Sequence, residues 1–267
     1  MTEHDAASGR TLEVDPWRIV ETTLRPENRK KHETLFSLGN GYLGLRGSFE
    51  ECQGDTNSDR GAYVNGIYDF YPYVYNWRRT AYPPRGHSML NVADYNILNL
   101  DISGEEFSME RGGVRGYRRE IDMQRGVLTR ELEWTSPGGR QVRIRFEKFI
   151  SMAQRHLAML RCSITPLDFD GSVAFRSAIE GNIKNANWSS RALRVTGAGG
   201  RGWSMWLTHS TTESGFDLAY AAAHTVTGCT AKPIVNNTRE RVDVEFECEA
   251  ESGQTIRLEK FVAVVDS

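Results

Sequence analysis

The sequence predicts an all-β protein built as a large antiparallel β-sandwich of two packed sheets, and three observations carry that prediction. Apolar and polar residues alternate with a period of two in several segments, Gly- and Asp-rich turns separate the segments, and helical periodicity is scarce. A chain of 267 residues with 39% hydrophobic and 25% charged side chains can fill one large core and lacks the composition of a disordered or fibrous protein. No Pro/Ser-rich linker divides it, so one domain is expected in place of two.

The polar, acidic stretch 1–15 reads as a disordered leader, and the sandwich is expected over 16–267, beginning at Pro16-Trp17. From Glu33 to Phe49 the chain runs ETLFSLGNGYLGLRGSF. Gly39-Asn40-Gly41 is a turn signal, because Gly and Asn tolerate positive φ, so the segment reads as strand, tight turn and strand with no regular helix. Val142–Glu147 and Val242–Glu247 place Val, Ile or Phe on one face and charged residues on the other, as half-buried strands do. Ile256–Phe261 begins the same way and runs into the apolar Val262–Val265. Leu157–Ile164 and Val173–Ile179 are more uniformly apolar, which predicts strands covered on both faces. Phe216–His224 also reads as a strand, since Leu218, Tyr220 and Ala222 alternate with other residues despite the Ala221-Ala222-Ala223 run. Turns are expected at Ser136–Gly139, Asp168–Gly171 and Gly197–Gly200.

Several function classes are disfavoured. A net charge of −2, with acids and bases interleaved along the chain, gives no footprint for nucleic acid. No run approaches the ~18 apolar residues of a membrane span, and no apolar stretch follows the N-terminus, so a cytoplasmic location is expected. Cys52, Cys162, Cys229 and Cys248 form no CxxC or zinc-type spacing and read as buried free thiols. The histidines are scattered, so neither a metal nor a cofactor is expected. Gly39-Asn40-Gly41-Tyr42-Leu43-Gly44 spells GxGxxG, yet a further Gly-punctuated aromatic strand follows it where a phosphate-binding helix would have to begin. The adjacent acids Glu50-Glu51 and Glu105-Glu106 point opposite ways in extended chain and read as solvated edge or loop carboxylates, not as a glycosidic acid/base couple. More suggestive is the stretch Ala62–Trp77, AYVNGIYDFYPYVYNW, in which aromatic faces stand beside Asn and Asp. Aromatic faces take the C–H faces of sugar rings and amides or carboxylates take the hydroxyls, although burial in a core would explain the same aromatics.

The blocks ETLFSLGNGYLGLRGSFEE and AYVNGIYD at 62–69 resemble the N-terminal signature of glycoside hydrolase family 65, the maltose, trehalose and kojibiose phosphorylases and related hydrolases. The likeness continues through Arg118–Arg130, Lys148–Ala158 and Thr165–Gly171. It implies a large super-sandwich here, followed in the parent enzyme by a helical linker and an α/α barrel that carries the general-acid glutamate and the phosphate site. On that reading this chain has no catalytic residue and is inactive alone. Its partners are the parent's barrel, a carbohydrate substrate and, if the enzyme is a homodimer, a second copy; phosphate is a co-substrate if the parent is a phosphorylase. Asn40, Tyr42, Arg46, Asn65, Tyr68 and Asp69 are the residues that the resemblance places toward the active-site side. Tyr68, Phe70, Tyr71, Tyr73, Tyr75 and Trp77 are expected to form an apolar patch larger than is usual on a monomer. Relatives carry an Asn, Pro and Trp segment near Leu90–Asn96, and the Trp is absent here, which leaves the disaccharide open. Two other readings are a freestanding carbohydrate-binding module that uses residues 63–77 and a plain scaffold.

Overall fold

The structure is a computed structural model that describes residues 12–51, 58–72, 83–185 and 191–267. The chain enters through β1 (Leu12–Val14) and β2 (Arg18–Glu21), turns once as 3-10 helix at Pro26–Asn28 and forms helix α1 (Arg29–Leu35). A small three-stranded sheet follows from β3 (Leu38–Gly39), β4 (Leu43–Leu45) and β5 (Ala62–Val64), then a hairpin of β6 (Tyr68–Pro72) and β7 (Arg85–Met89). The body begins with β8 (Asp94–Ile102), β9 (Glu105–Glu106), β10 (Gly113–Asp122), β11 (Val127–Thr135), β12 (Gln141–Ile150), β13 (Leu157–Pro166) and β14 (Gly171–Glu180). It ends with β15 (Leu193–Arg201), β16 (Ser204–Thr211), β17 (Asp217–Thr227), β18 (Ile234–Asn237), β19 (Arg241–Ala250) and β20 (Ile256–Asp266).

Ten strands form one sheet in the order β1-β2-β10-β11-β12-β13-β20-β17-β16-β15, and five form a second in the order β18-β19-β14-β8-β9. Every pairing in both is antiparallel. The expected all-β sandwich is therefore present. Its core forms where Trp134, Ile144, Phe146, Ile164 and Leu258 of the larger sheet meet Leu98, Leu100, Phe175 and Phe246 of the smaller one. Five strands cannot cover ten. The rest of the larger sheet's inner face is covered by α1, the three-stranded sheet and the 46–51 segment, with Phe36, Leu43 and Leu45 packed in one cluster with Ile121, Leu128 and Ile150.

That extra cover is charged. Glu21, Glu33, Glu50 and Glu51 are buried together with Arg29, Arg119, Arg130 and Lys148. Arg130 Nη1 donates to Glu51 Oε1 (2.7 Å), and its Nη2 donates to Glu50 Oε2 (2.6 Å) and to Glu51 Oε2. Lys148 Nζ donates to the Ser48 carbonyl (2.7 Å) and reaches Glu50 Oε1 at 2.8 Å. Burial alone would raise the Glu50 carboxyl, but Lys148 and Arg130 outweigh it and hold the group down at about 2. Glu50 and Glu51, expected as solvated carboxylates, are thus interior ion-pair partners. Glu105, expected likewise, fixes the β11–β12 turn by accepting from Ser136 Oγ (2.5 Å) and the Gly138 N–H (2.7 Å).

Other expectations are corrected. Leu12–Val14 pairs with Ile19–Glu21, so part of the expected leader is a strand. Helix α1 overlaps the start of the segment read as free of helix; Arg29–Leu35 is rich in helix formers and lies before the first glycine of the signature. The turn after it is as expected, with Gly41 at φ 87° between β3 and β4. Phe216–His224 falls on β17 as a strand should. β13 largely alternates between buried and half-buried residues, so it is not covered on both faces; β8 is the strand that is buried nearly throughout. Gly197–Gly200 is not a turn but part of β15, because the Trp206 ring of neighbouring β16 occupies the space where side chains at 197 and 199 would stand. The turn follows at Gly202, φ 57°. Cys229 and Cys248 are a disulfide and not free thiols, since the chain after β17 returns beside β19 with a Cα–Cα distance of 6.0 Å. Cys162 is free and buried, and Cys52 lies outside the described residues. Among the described residues no helix is long and apolar enough to cross a membrane.

Lys260 stands on an inward position of β20, fully buried, with Nζ donating to the carbonyls of Ala178 (2.8 Å) and Ile97 (3.3 Å). Burial pushes its ammonium down to about 7 against the pull of Asp94 and Asp243. Above that pH the folded chain holds Lys260 neutral while the unfolded chain holds it charged, so unfolding takes up a proton. Stability should therefore rise from about pH 7 toward the ordinary lysine range, by on the order of a few kcal/mol. Urea unfolding between pH 7 and 10 should show this rise in the native protein and a flatter profile for Lys260→Met; equal slopes would contradict it. The disulfide gives a second expectation. It closes a loop with a sequence separation of 19 residues, for which chain entropy gives about 3 kcal/mol, so reduction should lower unfolding stability by about that amount. The same loss should appear in Cys229→Ser/Cys248→Ser, and the double variant should no longer respond to reductant.

Candidate functional site

Five of the six candidate residues lie at one end of the sandwich, where separate segments are stitched together. In the β3–β4 turn, Asn40 Oδ1 accepts from the backbone N–H groups of Tyr42 (3.0 Å) and Leu43 (2.8 Å). Its Nδ2 donates across to the carbonyls of Ser151 (2.7 Å) and Arg155 (3.0 Å) in the β12–β13 loop. Tyr42 donates its hydroxyl to Asp266 Oδ1 near the end of β20. Its ring meets His156 edge-on at 4.6 Å, with the Arg155 guanidinium 5.2 Å from the ring centroid. Burial, and then the Asp266 carboxylate, raise the Tyr42 hydroxyl well above the ordinary tyrosine value. His156 Nδ1 lies 2.9 Å from the Val264 carbonyl and Nε2 accepts from Arg155 Nε at 2.9 Å, which assigns the ring proton to Nδ1. Asn65, exposed in the β5–β6 turn, donates Nδ2 to the Gly41 carbonyl (3.0 Å).

Asp69 performs the same task for the β6–β7 hairpin. It is fully buried, and its carboxylate accepts four backbone N–H groups: Phe70 (2.9 Å), Ser214 (2.9 Å), Thr212 (3.2 Å) and Glu213 (3.3 Å). A carboxylate engaged in this way fastens the β16–β17 loop to the hairpin. Arg85, on the hairpin, adds a 3.3 Å ion pair to Glu213. Tyr68 is half-buried and Phe70 is 41% exposed, and both lie against His87, at 5.0 and 4.8 Å between ring centres. Tyr71 covers Gly86 so closely that a Cβ there would collide with its ring. Tyr73, Tyr75 and Trp77 lie outside the described residues.

Arg46 is the exception. It leaves β4 in the other direction and donates Nη2 to the Lys30 carbonyl (3.0 Å), 4.0 Å from Glu33, so it secures α1. The sequence reading missed Ser151, Arg155, His156, Thr212–Ser214 and Asp266, the partners that complete this end. They lie about 110 to 220 residues from Asn40 and Tyr42 along the chain, and no local pattern marks them. A groove of about 450 Å³ lies elsewhere, on the outer face of the smaller sheet, between Asp101 and Glu106 on one side and Glu245 and Glu247 on the other. Among the described residues no three His, Cys, Asp or Glu side chains are grouped so as to hold a metal ion.

The end of the sandwich is thus a stiff assembly of loops whose polar side chains mostly bind the protein's own backbone. Asp69→Ala should leave the Thr212, Glu213 and Ser214 N–H groups without an acceptor, at about 1–3 kcal/mol. Amide hydrogen exchange at 212–214 should accelerate markedly while exchange in β12 and β13 stays unchanged. Unaltered exchange in the loop would show that Asp69 does not hold it.

Comparison with known proteins agrees with this architecture. The family described as "Glycosyl hydrolase family 65, N-terminal domain" matches residues 19–267. The alpha,alpha-trehalose phosphorylase of Thermoanaerobacter brockii is 32% identical over 266 residues, 95% of this chain and 34% of that protein. The kojibiose phosphorylase of Halothermothrix orenii is 34% identical over 174 residues, 65% of this chain and 21% of that protein. The maltose phosphorylase of Bacillus subtilis is 26% identical and covers 97% of this chain and 34% of that protein. A solved structure described as a kojibiose phosphorylase from the human microbiome superposes with a TM-score of 0.84 at 21% identity, over 97% of this chain and 33% of that one, which shows the shared fold. The chain thus spans at most about a third of the length of these relatives. With the family matched from residue 19 to residue 267, the chain belongs to the N-terminal domain family of glycoside hydrolase family 65.

Proposed function

We propose that this chain is the accessory β-sandwich domain of a larger enzyme acting on α-linked glucose disaccharides. It supports a catalytic α/α barrel, and its stitched end frames the entrance to that barrel's active site. The observation that carries this reading is the match of nearly the whole chain to the family's N-terminal domain, while relatives named as trehalose and maltose phosphorylases are about three times as long.

The geometry supports it in a specific way. Asn40, Tyr42 and Asp69 hold loops in place through bonds to main chain and to Asp266, as a mounting surface requires, while Asn65 and Phe70 stay exposed beside them for contact with a neighbour or a sugar. Phosphorolysis with inorganic phosphate as co-substrate is the parent reaction that the relatives' names favour.

Purified protein incubated with trehalose, kojibiose or maltose, with and without phosphate, should release neither glucose nor glucose phosphate. Turnover above background that survives repurification would overturn the reading.

A further inference from the structure

Outside the stitched end, the outer face of the larger sheet changes character along its width. Over β11, β12 and β13 it carries a charge ladder in which Arg143 meets Glu133 (2.9 Å), Arg145 meets Glu147 (3.1 Å) and Arg161 meets Glu259 (2.7 Å). Past Glu259, from the middle of β20 toward β15, the charges give way to small residues and two aromatics. Trp206 on β16 is 45% exposed and Phe261 on β20 is 37% exposed. Across the strands Trp206 stands opposite Ala221, Ala221 opposite Ala263, and Ala223 opposite Phe261, so the two rings border a floor of alanine.

The attitude of Trp206 is unusual for an exposed indole. A Cβ placed on Gly197 would fall 2.9 Å from its Cζ3, and one on Gly199 would fall 3.2 Å from its Cζ2 and 3.4 Å from its Nε1. The outward direction from both glycines therefore runs into the ring. The indole lies flat along the sheet, one face on the glycines and the other toward solvent. Adjacent strands lie about 4.8 Å apart and residues rise about 3.4 Å along them. From this spacing, Trp206 and Phe261 are separated by about 10 Å across the sheet and about 7 Å along it, more than one sugar ring covers.

We propose that this face binds a neutral α-linked gluco-oligosaccharide, with a pyranose ring stacked on Trp206 and the chain running over Ala221 and Ala263 toward Phe261. An apolar trough with an aromatic ring laid flat along the sheet suits the C–H face of a sugar. Protein interface cores are depleted in alanine, and the floor here is alanine. Hydroxyl partners stand at the rim, Arg201 and Ser204 on one side and Thr208 with Thr196 on the other. Among the described residues that line the trough there is no carboxylate and Arg201, at the rim, is the one charged side chain, so the floor itself offers no ion pair to a charged ligand. The choice of an α-linked glucan rests on the family-based reading above, whereas the platform rests on the indole geometry alone.

Native gel electrophoresis of the purified protein through soluble glycogen, with isothermal titration of maltoheptaose, tests the proposal. The protein should be retarded by glycogen and not by a β-glucan. Trp206→Ala should weaken binding at least tenfold, and so should Ala221→Glu, which keeps the indole but sets a charge beside it at an exposed strand position that should not disturb folding. Trp17→Ala, which removes another exposed indole, should change nothing. The proposal is overturned by no retardation in glycogen, by retardation that both variants retain, or by self-association that Trp206→Ala abolishes with no glucan binding. None of those results would bear on the accessory-domain reading, which is judged by turnover.

Discussion

The neutral cluster of four acids and four bases on the inner face of the larger sheet is the constraint on which the rest of the fold depends. Removing one member of a buried pair costs about 3–5 kcal/mol, because the partner charge remains away from water. The 46–51 segment has little freedom under that penalty. Phe49 lies among the guanidinium groups of Arg29, Arg119 and Arg130, 4.6, 5.1 and 4.1 Å from its ring centre. Glu50 binds Arg130 and Lys148 through its carboxylate, and its carbonyl accepts the Leu98 N–H of β8 at 3.0 Å. That carbonyl contact ties the charged cluster to the main chain of the smaller sheet. Helix α1 hangs on the same cluster through His32, whose Nδ1 lies 2.5 Å from Glu21 Oε1, and Glu21 in turn accepts from the Tyr117 hydroxyl at 2.7 Å. The small elements that close the sandwich are therefore fixed by charge pairing in addition to apolar packing, where the two main sheets are joined by apolar packing.

How much of this the sequence shows follows from the pleat. A period of two identifies the strands because one face of each is buried, and the same period marks the interior charges. Arg130 occupies the position in β11 that continues Leu128, Leu132 and Trp134, Lys148 continues Phe146 and Ile150, and Lys260 continues Ile256, Leu258, Val262 and Val264. A basic residue in phase with an apolar row announces a buried partner, although it does not say which one. Glu50 and Glu51 carry no such mark, since they lie outside any strand and are buried only by what folds over them.

The candidate site was legible in part, for a different reason. The Gly-Asn-Gly turn and the acid and amide of the 62–69 block are visible because turn chemistry is local. What these groups bind is not local. Asn40 reaches the β12–β13 loop and Asp69 reaches the β16–β17 loop, and such pairings are set by the order of strands in the sheets. The disulfide escaped for the same reason, because it joins a turn to a strand in the other sheet.

The contact of Trp206 with Gly197 and Gly199 also limits how this strand can change over generations. β15 is the last strand of its sheet, and a glycine within a strand costs about 0.5–1 kcal/mol relative to alanine, a loss that a covering aromatic ring offsets. A larger residue at 197 or 199 would displace the indole, and a smaller residue at 206 would leave both glycines bare. Either change alone loosens this edge of the sheet, so the three positions are coupled through one packing contact.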